Sequence, residues 1–423
     1  MADLAQLVAQ LGSQARAAAR VLATMPAARI DAALGAMADE LLAAQVEILT
    51  ANAADVAAAR ANGQTAALVD RLTLDAKRLA ACANGLRQVA ALPHPVGEVL
   101  RTWSQPNGLQ FEKVRVPLGV IGFIYESRPN VTCDAAGLCL KSGNAVILRG
   151  GSEALRSNTA IAAALSRGLA RAGLPAAAVQ LVPVADRGIV RLLGESVGVI
   201  DLLIPRGGRG LIETVVKTAR IPVIKHYDGI CTLYVDKAAD LAMAERIAVN
   251  AKVQRPGVCN AIETLLVHSA VADAFLEQAG RTLKEHGVML RAEPRAFEAL
   301  QKAGVTASAA SEDDFRTEFL ELILAVKIVD STAEAIEHIE THGSHHTETI
   351  VTADAAAAEQ FIAGIDSAVV LWNASTRFND GHEFGFGAEI GISTDKLHAR
   401  GPMGLEELTS YKYVVRGTGQ VRS

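Results

Sequence analysis

The stretch NAVILRGG, residues 144–151, is a run of apolar residues that ends in an arginine and two glycines. Similar runs lie on either side of it, with helical patterns between them: GVIGFIYE at 119–126, VQLVPV at 179–184 and GVIDLLIPRGG at 198–208. Continuous runs of Val, Ile and Leu that alternate with helices are typical of a parallel sheet buried on both faces. The sequence therefore predicts an open α/β fold.

A second series of short apolar runs follows further along the chain. It comprises TLYVD, ETLLVH, LAVKIVD, ETIVT and AVVLWN, at 232–236, 263–268, 324–330, 348–352 and 368–373. The 423 residues also exceed what one hydrophobic core usually supports. We therefore predict two successive open α/β domains, with a boundary near residues 225–232.

The regions before the first series have other patterns. Residues 1–92 are helical in pattern almost throughout, whereas LQFEKVRV at 109–116 alternates apolar and polar residues, as a half-buried strand does. We expect this strand to belong to a hairpin that begins near Trp103. Residues 4–30 contain three arginines and no acid, as transit peptides do, but the helical spacing of their apolar residues favours an amphipathic first helix.

The overall composition limits the class of partner. The formal net charge is -5, and 50% of the residues are hydrophobic but only 4% aromatic. Because no net positive field attracts a polyanion, we expect the chain to bind neither nucleic acid nor an anionic membrane. No apolar run approaches the roughly 20 residues that span a bilayer. A small molecule is the favoured partner.

The cysteines indicate the redox environment. There are five, widely separated and without CxxC spacing, at positions 82, 133, 139, 231 and 259. An odd number with this spacing fits neither a disulfide framework nor a structural zinc site, so we expect a reducing, cytoplasmic compartment. Cys82, Cys139 and Cys231 lie in apolar helix or strand patterns that predict core packing, whereas the pattern leaves the role of Cys133 open.

Two glycine-rich turns each follow a predicted strand and precede a predicted helix, RGGSE at 149–153 and PRGGRG at 205–210. Backbone N–H groups in such a turn can approach phosphate oxygens. Neither turn matches GxGxxG, so each is as compatible with a plain connection as with a nucleotide loop. Arg149 could hold a phosphate through paired hydrogen bonds or form a surface salt bridge.

The histidine-rich stretch HIETHGSHHTE, residues 338–348, invites comparison with a metal site. His338 and His342 are four residues apart, but residue 339 is Ile where an HExxH motif requires Glu. We interpret the cluster as a polar helix end and loop, and we expect no metal.

Cys259 differs from the other cysteines in its surroundings. It lies in NAKVQRPGVCNA, residues 250–261, between a helical pattern and a predicted strand, where Pro256 and Gly257 predict a turn. A turn could expose the sulfur in a cleft, and nearby Arg255 could stabilise a thiolate. The alternative is that Cys259 packs as a small apolar residue, as most cysteines do.

Three long stretches carry a resemblance to a known family. They are VPLGVIGFIYESRPNVTCDAAGLCLKSGNAVILRGGSEA at 116–154, NAKVQRPGVCNAIETLLVH at 250–268 and GHEFGFGAEIGISTDKLHARGPMGLEELTSYKY at 381–413. Nearly the whole chain resembles the γ-glutamyl phosphate reductases, also called glutamate-5-semialdehyde dehydrogenases, a branch of the aldehyde dehydrogenase superfamily.

The resemblance implies a domain organisation and an assembly. It implies two open α/β domains of the aldehyde dehydrogenase type with a small oligomerisation element, so we expect a homo-oligomer. The regions are an NADP-binding domain at 1–101 and 117–228, a catalytic domain at 229–400, and the oligomerisation element at 102–116 and 401–423.

The resemblance also implies a reaction, the NADPH-dependent reduction of γ-glutamyl phosphate to glutamate 5-semialdehyde and phosphate in proline biosynthesis. Cys259 corresponds to the superfamily nucleophile, which would form a thioester that hydride then reduces. An oxyanion forms at both steps. The backbone N–H of Cys259 and the side-chain amide of Asn130, in SRPN, are the expected donors to it.

For the cofactor, the resemblance points to residues at the ends of predicted strands. The lysine that contacts the adenosine ribose in many relatives corresponds to Arg149, and the glutamate three positions later corresponds to Ser152. A carboxylate would repel a 2′-phosphate that arginine and serine can bind, so the exchange favours NADPH. Gly207 and Gly208 are further expected contacts, and Glu318, in TEFL, resembles the glutamate that holds the nicotinamide ribose.

Substrate contacts and rival functions complete the expectations. Arg128 and Arg255 are candidates for substrate binding, by charge and position. A hydrolytic aldehyde dehydrogenase would use a glutamate as general base, but the corresponding segment KHYDGICTLYVD at 225–236 has Lys225 there, with Asp228 as the only nearby acid. The chain could also be a non-catalytic nucleotide-binding protein or scaffold, although the presence of Cys259 argues against this.

Overall fold

The computed structural model describes residues 2–422, which form two compact units. The first unit contains the chain as far as Lys225, residues 385–391 and the chain from Met403 onward. The second contains residues 226–384 and 392–402. Among the helices of residues 2–422, none combines the length and apolar character that crossing a membrane requires.

The amino-terminal part of the first unit is helical, as the sequence predicts. Ile30, Leu34, Met37 and Leu41 are fully buried along one face of the second helix, at the spacing of an amphipathic helix. The helices of this unit are α1 (Ala2–Leu22), α2 (Ala27–Ala43), α3 (Gln45–Ala61), α4 (Ala66–Leu72), α5 (Ala76–Ala91), α6 (Asn130–Lys141), α7 (Leu155–Arg171), α8 (Gly188–Gly194) and α9 (Arg209–Thr218).

The first series of apolar runs forms a four-stranded parallel sheet. All residues of its two central strands are buried, which explains why these runs are apolar without alternation. Parallel strands bring their carboxyl ends to one edge of the sheet, where Glu126, Arg149 and Gly207 lie at or just beyond strand ends. The strands are β3 (Val120–Tyr125), β4 (Ala145–Arg149), β5 (Val179–Leu181) and β6 (Leu202–Arg206), in the order β5-β4-β3-β6.

The predicted hairpin is also present in the first unit. Strand β1 (Val99–Ser104) pairs antiparallel with β2 (Gln110–Pro117), and β16 (Thr409–Arg416) pairs antiparallel with the other edge of β2. Most residues of β1 and β16 are exposed, and those of β2 are mostly half-buried. This three-stranded sheet therefore has little core of its own.

The second unit is built on a seven-stranded parallel sheet, and its five predicted strands are confirmed. Its order is β10-β9-β11-β8-β7-β12-β13. The strands are β7 (Cys231–Val235), β8 (Ile262–His268), β9 (Met289–Ala292), β10 (Ala307–Ala309), β11 (Ile323–Val329), β12 (Thr347–Val351) and β13 (Val369–Trp372). The helices are α10 (Leu241–Val253), α11 (Ala272–Glu285), α12 (Pro294–Lys302), α13 (Thr332–His342) and α14 (Ala355–Gly364).

Several strands were not expected from the sequence. Strands β9 and β10 lie at one edge of the second sheet and are only four and three residues long. Two further short strands, β14 (Gly391–Ser393) and β15 (Gly401–Met403), form a two-stranded sheet. The assignment of cofactor binding, catalysis and oligomerisation to regions of the chain stays a prediction.

Candidate active site

Cys259 lies on the connection between α10 and β8, where the sequence predicts a turn. The backbone N–H of Ala261 donates to the carbonyl of Val258 at 3.0 Å, which closes a tight turn around the cysteine. Cys259 is half-buried, whereas the other four cysteines are buried. Core packing is thereby confirmed for Cys82, Cys139 and Cys231, and Cys133 is also a core residue.

Gly229 and Cys231, just before and at the start of β7, contact the backbone of this turn. A Cβ atom at Gly229 would lie 2.0 Å from the carbonyl oxygen of Cys259, so only glycine allows the two backbones to approach this closely. Burial raises the pKa of Cys231 well above its usual value, and its protonated thiol donates to the same carbonyl at 3.1 Å. The backbone of Cys259 is therefore held on two sides while its side chain stays accessible.

Two histidines that the sequence analysis did not select lie beside the thiol. The ligand atoms of His226, Cys259 and His346 all lie within 4.8 Å of one another, and the two imidazole rings meet edge to face. His226 is half-buried and His346 is buried. His346 belongs to the histidine-rich stretch, in which His338 and His342 stack on each other near the end of α13.

Positive charge is also concentrated near the thiol. Burial lowers the pKa of Arg377, and the neighbouring guanidinium of Arg255 lowers it further, while Asp380 and, to a smaller extent, Cys259 act in the opposite direction. The Nε atom of Arg377 donates to Gln254 Oε1 at 2.7 Å. Cations close to a cysteine favour its thiolate and attract an anionic substrate. Arg377 was not anticipated from the sequence.

A buried ion pair connects the elements around the turn. Lys252 Nζ, on α10, lies 2.5 Å from Glu263 Oε2, on β8, and both side chains are fully buried. The other carboxylate oxygen of Glu263 accepts from the backbone N–H of Leu320 at 3.2 Å. Burial raises the pKa of Glu318, which accepts a backbone hydrogen bond from Gly229. Glu318 therefore lies in the same unit as Cys259, next to the glycine that supports the turn.

The first unit has its own cleft at the carboxyl edge of its sheet, with a volume of about 430 Å³. Arg149 and Ser152 line it, as the sequence analysis expected of cofactor contacts. Arg149 is only 6% exposed, its Nη2 donates to the Ala185 carbonyl at 3.4 Å, and its buried Nε has no hydrogen-bond partner among the described residues. Arg187 lines the same cleft and supplies a second guanidinium.

Carboxylates also line this cleft, although the resemblance gives serine in place of glutamate at position 152. Glu153, next to Ser152, accepts from both the backbone N–H and the hydroxyl of Ser127 at 2.7 Å. Ser127 has a φ of 48°, a conformation that favours glycine, so Glu153 stabilises a strained residue at the edge of the cleft. Glu126 accepts from the backbone N–H of Gly208 at 2.9 Å.

The remaining predicted residues lie in the first unit or on the cysteine turn. Gly207 and Gly208 precede α9, and a side chain at Gly207 would collide with Glu126. Asn130 begins α6, where its Nδ2 donates to Asp134 Oδ2 at 3.0 Å. Arg128 and Arg255 are exposed.

Comparison with known proteins gives the family. A model described as the aldehyde dehydrogenase family matches residues 3–297. The chain belongs to the aldehyde dehydrogenase family. The family's relatives include the γ-glutamyl phosphate reductase of Moorella thermoacetica, which is 56% identical over 411 residues and 97% of each chain. That of Opitutus terrae is 55% identical over 423 residues and 100% of both chains.

Solved structures of this family agree. The γ-glutamyl phosphate reductase of Thermotoga maritima is 44% identical, superposes with a TM-score of 0.96, and the match covers 98% of this chain and 100% of that one. An acetylating aldehyde dehydrogenase from Geobacillus thermoglucosidasius, at 17% identity and a TM-score of 0.68, shares the fold. The predicted fold class and the predicted resemblance are both confirmed.

Proposed function

We propose that this chain reduces γ-glutamyl phosphate to glutamate 5-semialdehyde and phosphate with NADPH, in proline biosynthesis. One observation carries the proposal: Cys259 is a half-buried thiol beside two histidines and close to two arginines. It occupies this position in a chain that is 56% identical to a γ-glutamyl phosphate reductase over nearly its full length.

In this mechanism the Cys259 thiolate attacks the acyl carbon. A C–S bond forms, the bond to the phosphate oxygen breaks, and phosphate leaves with that electron pair. Arg255 and Arg377 supply positive charge where phosphate develops its additional negative charge. The backbone N–H of Cys259 and the amide of Asn130 are the proposed donors to the oxyanion. Release of the aldehyde later returns the electron pair of the C–S bond to sulfur.

The residues of the first cleft fit a phosphorylated dinucleotide. The Nε atom of Arg149 is buried without a partner among the described residues, as expected of a group that pairs with a ligand. We assign Arg149, Ser152, Gly207 and Gly208 to this cofactor, and Glu318 to its nicotinamide ribose. NADPH would supply the hydride that reduces the thioester to a thiohemiacetal. Arg128 is assigned to the substrate.

We also propose where the protein acts and how it assembles. The sheet of β1, β2 and β16 would mediate formation of a homo-oligomer, because most residues of β1 and β16 are exposed. Five free cysteines suit the reducing cytoplasm.

The first test removes the nucleophile. Cys259→Ala should reduce NADPH oxidation with γ-glutamyl phosphate to background while the melting temperature stays within a few degrees, since a half-buried thiol on a turn contributes little packing. Cys139→Ala, in the core of α6, is the matched control and should keep its turnover. A folded Cys259→Ala protein with native turnover would overturn the mechanism.

The second test separates phosphate release from hydrolysis. A lysine, Lys225, stands where hydrolytic relatives have their general base, so we expect phosphate, not water, to resolve the thioester in the reverse direction. With glutamate 5-semialdehyde and NADP⁺, the enzyme should produce NADPH only when phosphate or arsenate is supplied. Steady production in phosphate-free buffer, with glutamate accumulating, would instead establish a hydrolytic aldehyde dehydrogenase.

A further inference from the structure

We propose that His226, Cys259 and His346 form a zinc-binding site, and that Zn²⁺ bound there reversibly blocks the thiol. The three side chains come from separate parts of the second unit: the segment before β7, the turn before β8 and the segment before β12. One thiolate and two imidazoles form a ligand set that zinc prefers, with a fourth position left open to water.

The distances suit this ion. The three ligand atoms lie within 4.8 Å of one another. A tetrahedral zinc ion with bonds of about 2.0 Å to nitrogen and 2.3 Å to sulfur separates its ligands by roughly 3.5 Å. The side chains therefore need to move together by about 1 Å, which small rotations of the half-buried Cys259 and His226 can provide.

Hydrogen bonds to neighbouring groups already orient the imidazole rings of His226 and His346. Nδ1 of His226 lies 3.0 Å from the carbonyl oxygen of Ile392, and a carbonyl can only accept, so in the neutral ring Nδ1 carries the proton and Nε2 has the lone pair. Nδ1 of His346 lies 2.7 Å from the hydroxyl oxygen of Thr347, which can accept from it when Nε2 binds the ion. Metal-bound histidines usually have such partners, which fix the tautomer.

The path to the site and the proton balance are also compatible with reversible binding. Cys259 and His226 are half-buried and His346 is buried, so an ion would enter from the side of the Cys259 thiol and the His226 ring. Binding converts the thiol to a zinc-bound thiolate and releases its proton to solvent. The sulfur lone pair that would attack an acyl carbon is then bonded to the metal, so the thiolate cannot act as the nucleophile.

The binding half of this inference is independent of the proposed function, whereas the inhibition half rests on it. The binding half is tested with Co²⁺ added to the reduced, chelator-treated full chain, because a thiolate bound to cobalt gives a charge-transfer absorption in the near ultraviolet. We expect one Co²⁺ per chain and displacement of the cobalt by Zn²⁺. The absence of this absorption, or its persistence in Cys259→Ser, would overturn the site.

The histidine ligands are tested by substitution. His226→Asn and His346→Asn should each weaken zinc binding by roughly tenfold or more, since even outer partners of a metal site contribute that much. The matched control is His342→Asn, in the other histidine pair of the same unit, which should bind zinc like the native chain. Native zinc affinity in both His226→Asn and His346→Asn would refute the assignment.

Two measurements need no variant. Zn²⁺ should slow the alkylation of Cys259 by iodoacetamide in the native chain, and unchanged alkylation at saturating zinc would contradict binding at the sulfur. Zinc should also stop NADPH oxidation, with full recovery when a chelator is added. A chain that binds cobalt at Cys259 but never reduces γ-glutamyl phosphate would refute the proposed function and leave the site intact. Turnover at zinc saturation would refute the inhibition.

Discussion

Arg149 is the residue whose role is most open to a direct test. Its guanidinium is almost fully buried, its Nε has no partner among the described residues, and it lines the cleft with Arg187. If it binds the 2′-phosphate, Arg149→Glu should raise the KM for NADPH by about tenfold or more, because a lost charged hydrogen bond costs about 1.5–3 kcal/mol. The KM for NADH should change much less.

Two further variants, Arg191→Glu and Glu153→Gln, show whether the effect on NADPH binding is specific to Arg149. Arg191→Glu alters an exposed arginine one turn further along α8, outside the cleft, and should leave both constants unchanged. Glu153 shares the cleft, so Glu153→Gln tests whether its carboxylate weakens NADPH binding or mainly holds Ser127. Equal losses with NADPH and NADH in Arg149→Glu would mean that the arginine does not distinguish the 2′-phosphate.

His338 gives the protein a source of acid sensitivity. It is 5% exposed on α13, and burial lowers its pKa to about 3, with Lys327, His342 and Arg316 acting in the same direction. Because the native pKa lies below the unfolded value of 6.5, the unfolded chain binds the proton first as the pH falls. The neutral ring therefore stabilises the fold above pH 6.5, and this contribution is lost between pH 6.5 and 3.

The expected size of this effect is measurable. At pH 5 the loss amounts to roughly 2 kcal/mol, from about 1.36 kcal/mol for each pH unit below 6.5. His338→Gln should therefore lose less stability than the native chain between pH 7 and pH 5, as followed by thermal unfolding. His286→Gln, at the exposed end of α11, is the control and should keep the native pH dependence. The same slope in all three proteins would contradict the prediction.

At the scale of elements, the burial of a strand determines whether its sequence pattern predicts it. The central strands β3 and β4 are buried on both faces and appear as nearly continuous apolar runs. Strands β7, β8 and β12 are also buried, although β8 and β12 each include a buried glutamate, and their remaining apolar residues still mark them as strands. Strands β9 and β10 lie at a sheet edge with exposed residues such as Met289, so they carry no comparable pattern. Hydrophobic periodicity records burial, and short edge strands have little of it.

For the candidate site, the sequence predicts the features that are neighbours along the chain, but not the contacts between residues that are far apart in it. Proline, glycine and the flanking strand pattern predict the turn that holds Cys259, because all three are neighbours in sequence. His226 and His346 reach the thiol only after β7, β8 and β12 align in one sheet. Glu153 is the residue after Ser152, so the resemblance at position 152 alone does not predict its carboxylate in the cleft.

The link between α10 and β8 depends on a buried ion pair. Burial lowers the pKa of Lys252 and raises that of Glu263 to about 7, so each charge depends on the other for compensation. Lys252→Met should destabilise the fold by about 3–5 kcal/mol, because it leaves an unpaired buried carboxyl group. In Lys252→Met/Glu263→Gln, the amide can still accept from Leu320, so much of this stability should return.

Denaturant unfolding of the native chain, both single variants and the double variant measures the coupling. Additive losses in the double variant would show that the two groups do not compensate each other. The exposed pair Arg281–Glu277 on α11 is the control, and its removal should cost at most about 1 kcal/mol.

At the scale of the whole molecule, charge and apolar surface are distributed unevenly. The formal net charge is -5, yet arginines are placed at the cysteine turn and in the cleft of the first unit. A chain that is negative overall can therefore still attract small anions to particular sites. The apolar counterpart is the sheet of β1, β2 and β16, where exposed side chains include Val99, Tyr411 and Tyr413.

This sheet leads to the prediction for assembly. Tyr411, Tyr413 and Val415 lie at alternate positions of β16 and therefore share one face, where Trp103 packs against Phe111 and Tyr413. Among the described strands, β16 has a partner only on the side of β2, so its other edge is an unpaired row of backbone groups. An apolar face beside an open edge is typical of an interface between copies of a chain.

Tyr413→Glu should therefore weaken self-association. Tyr413 is 57% exposed, so a charge there costs little within one chain but would be buried, unpaired, in an interface. Sedimentation equilibrium should show an oligomer for the native chain and a smaller species for Tyr413→Glu at the same concentration, with similar helix and strand content. Val46→Glu, which places the same charge at a 79% exposed apolar position on α3, should keep the native mass. If Tyr413→Glu also keeps the native mass, the copies associate through another surface.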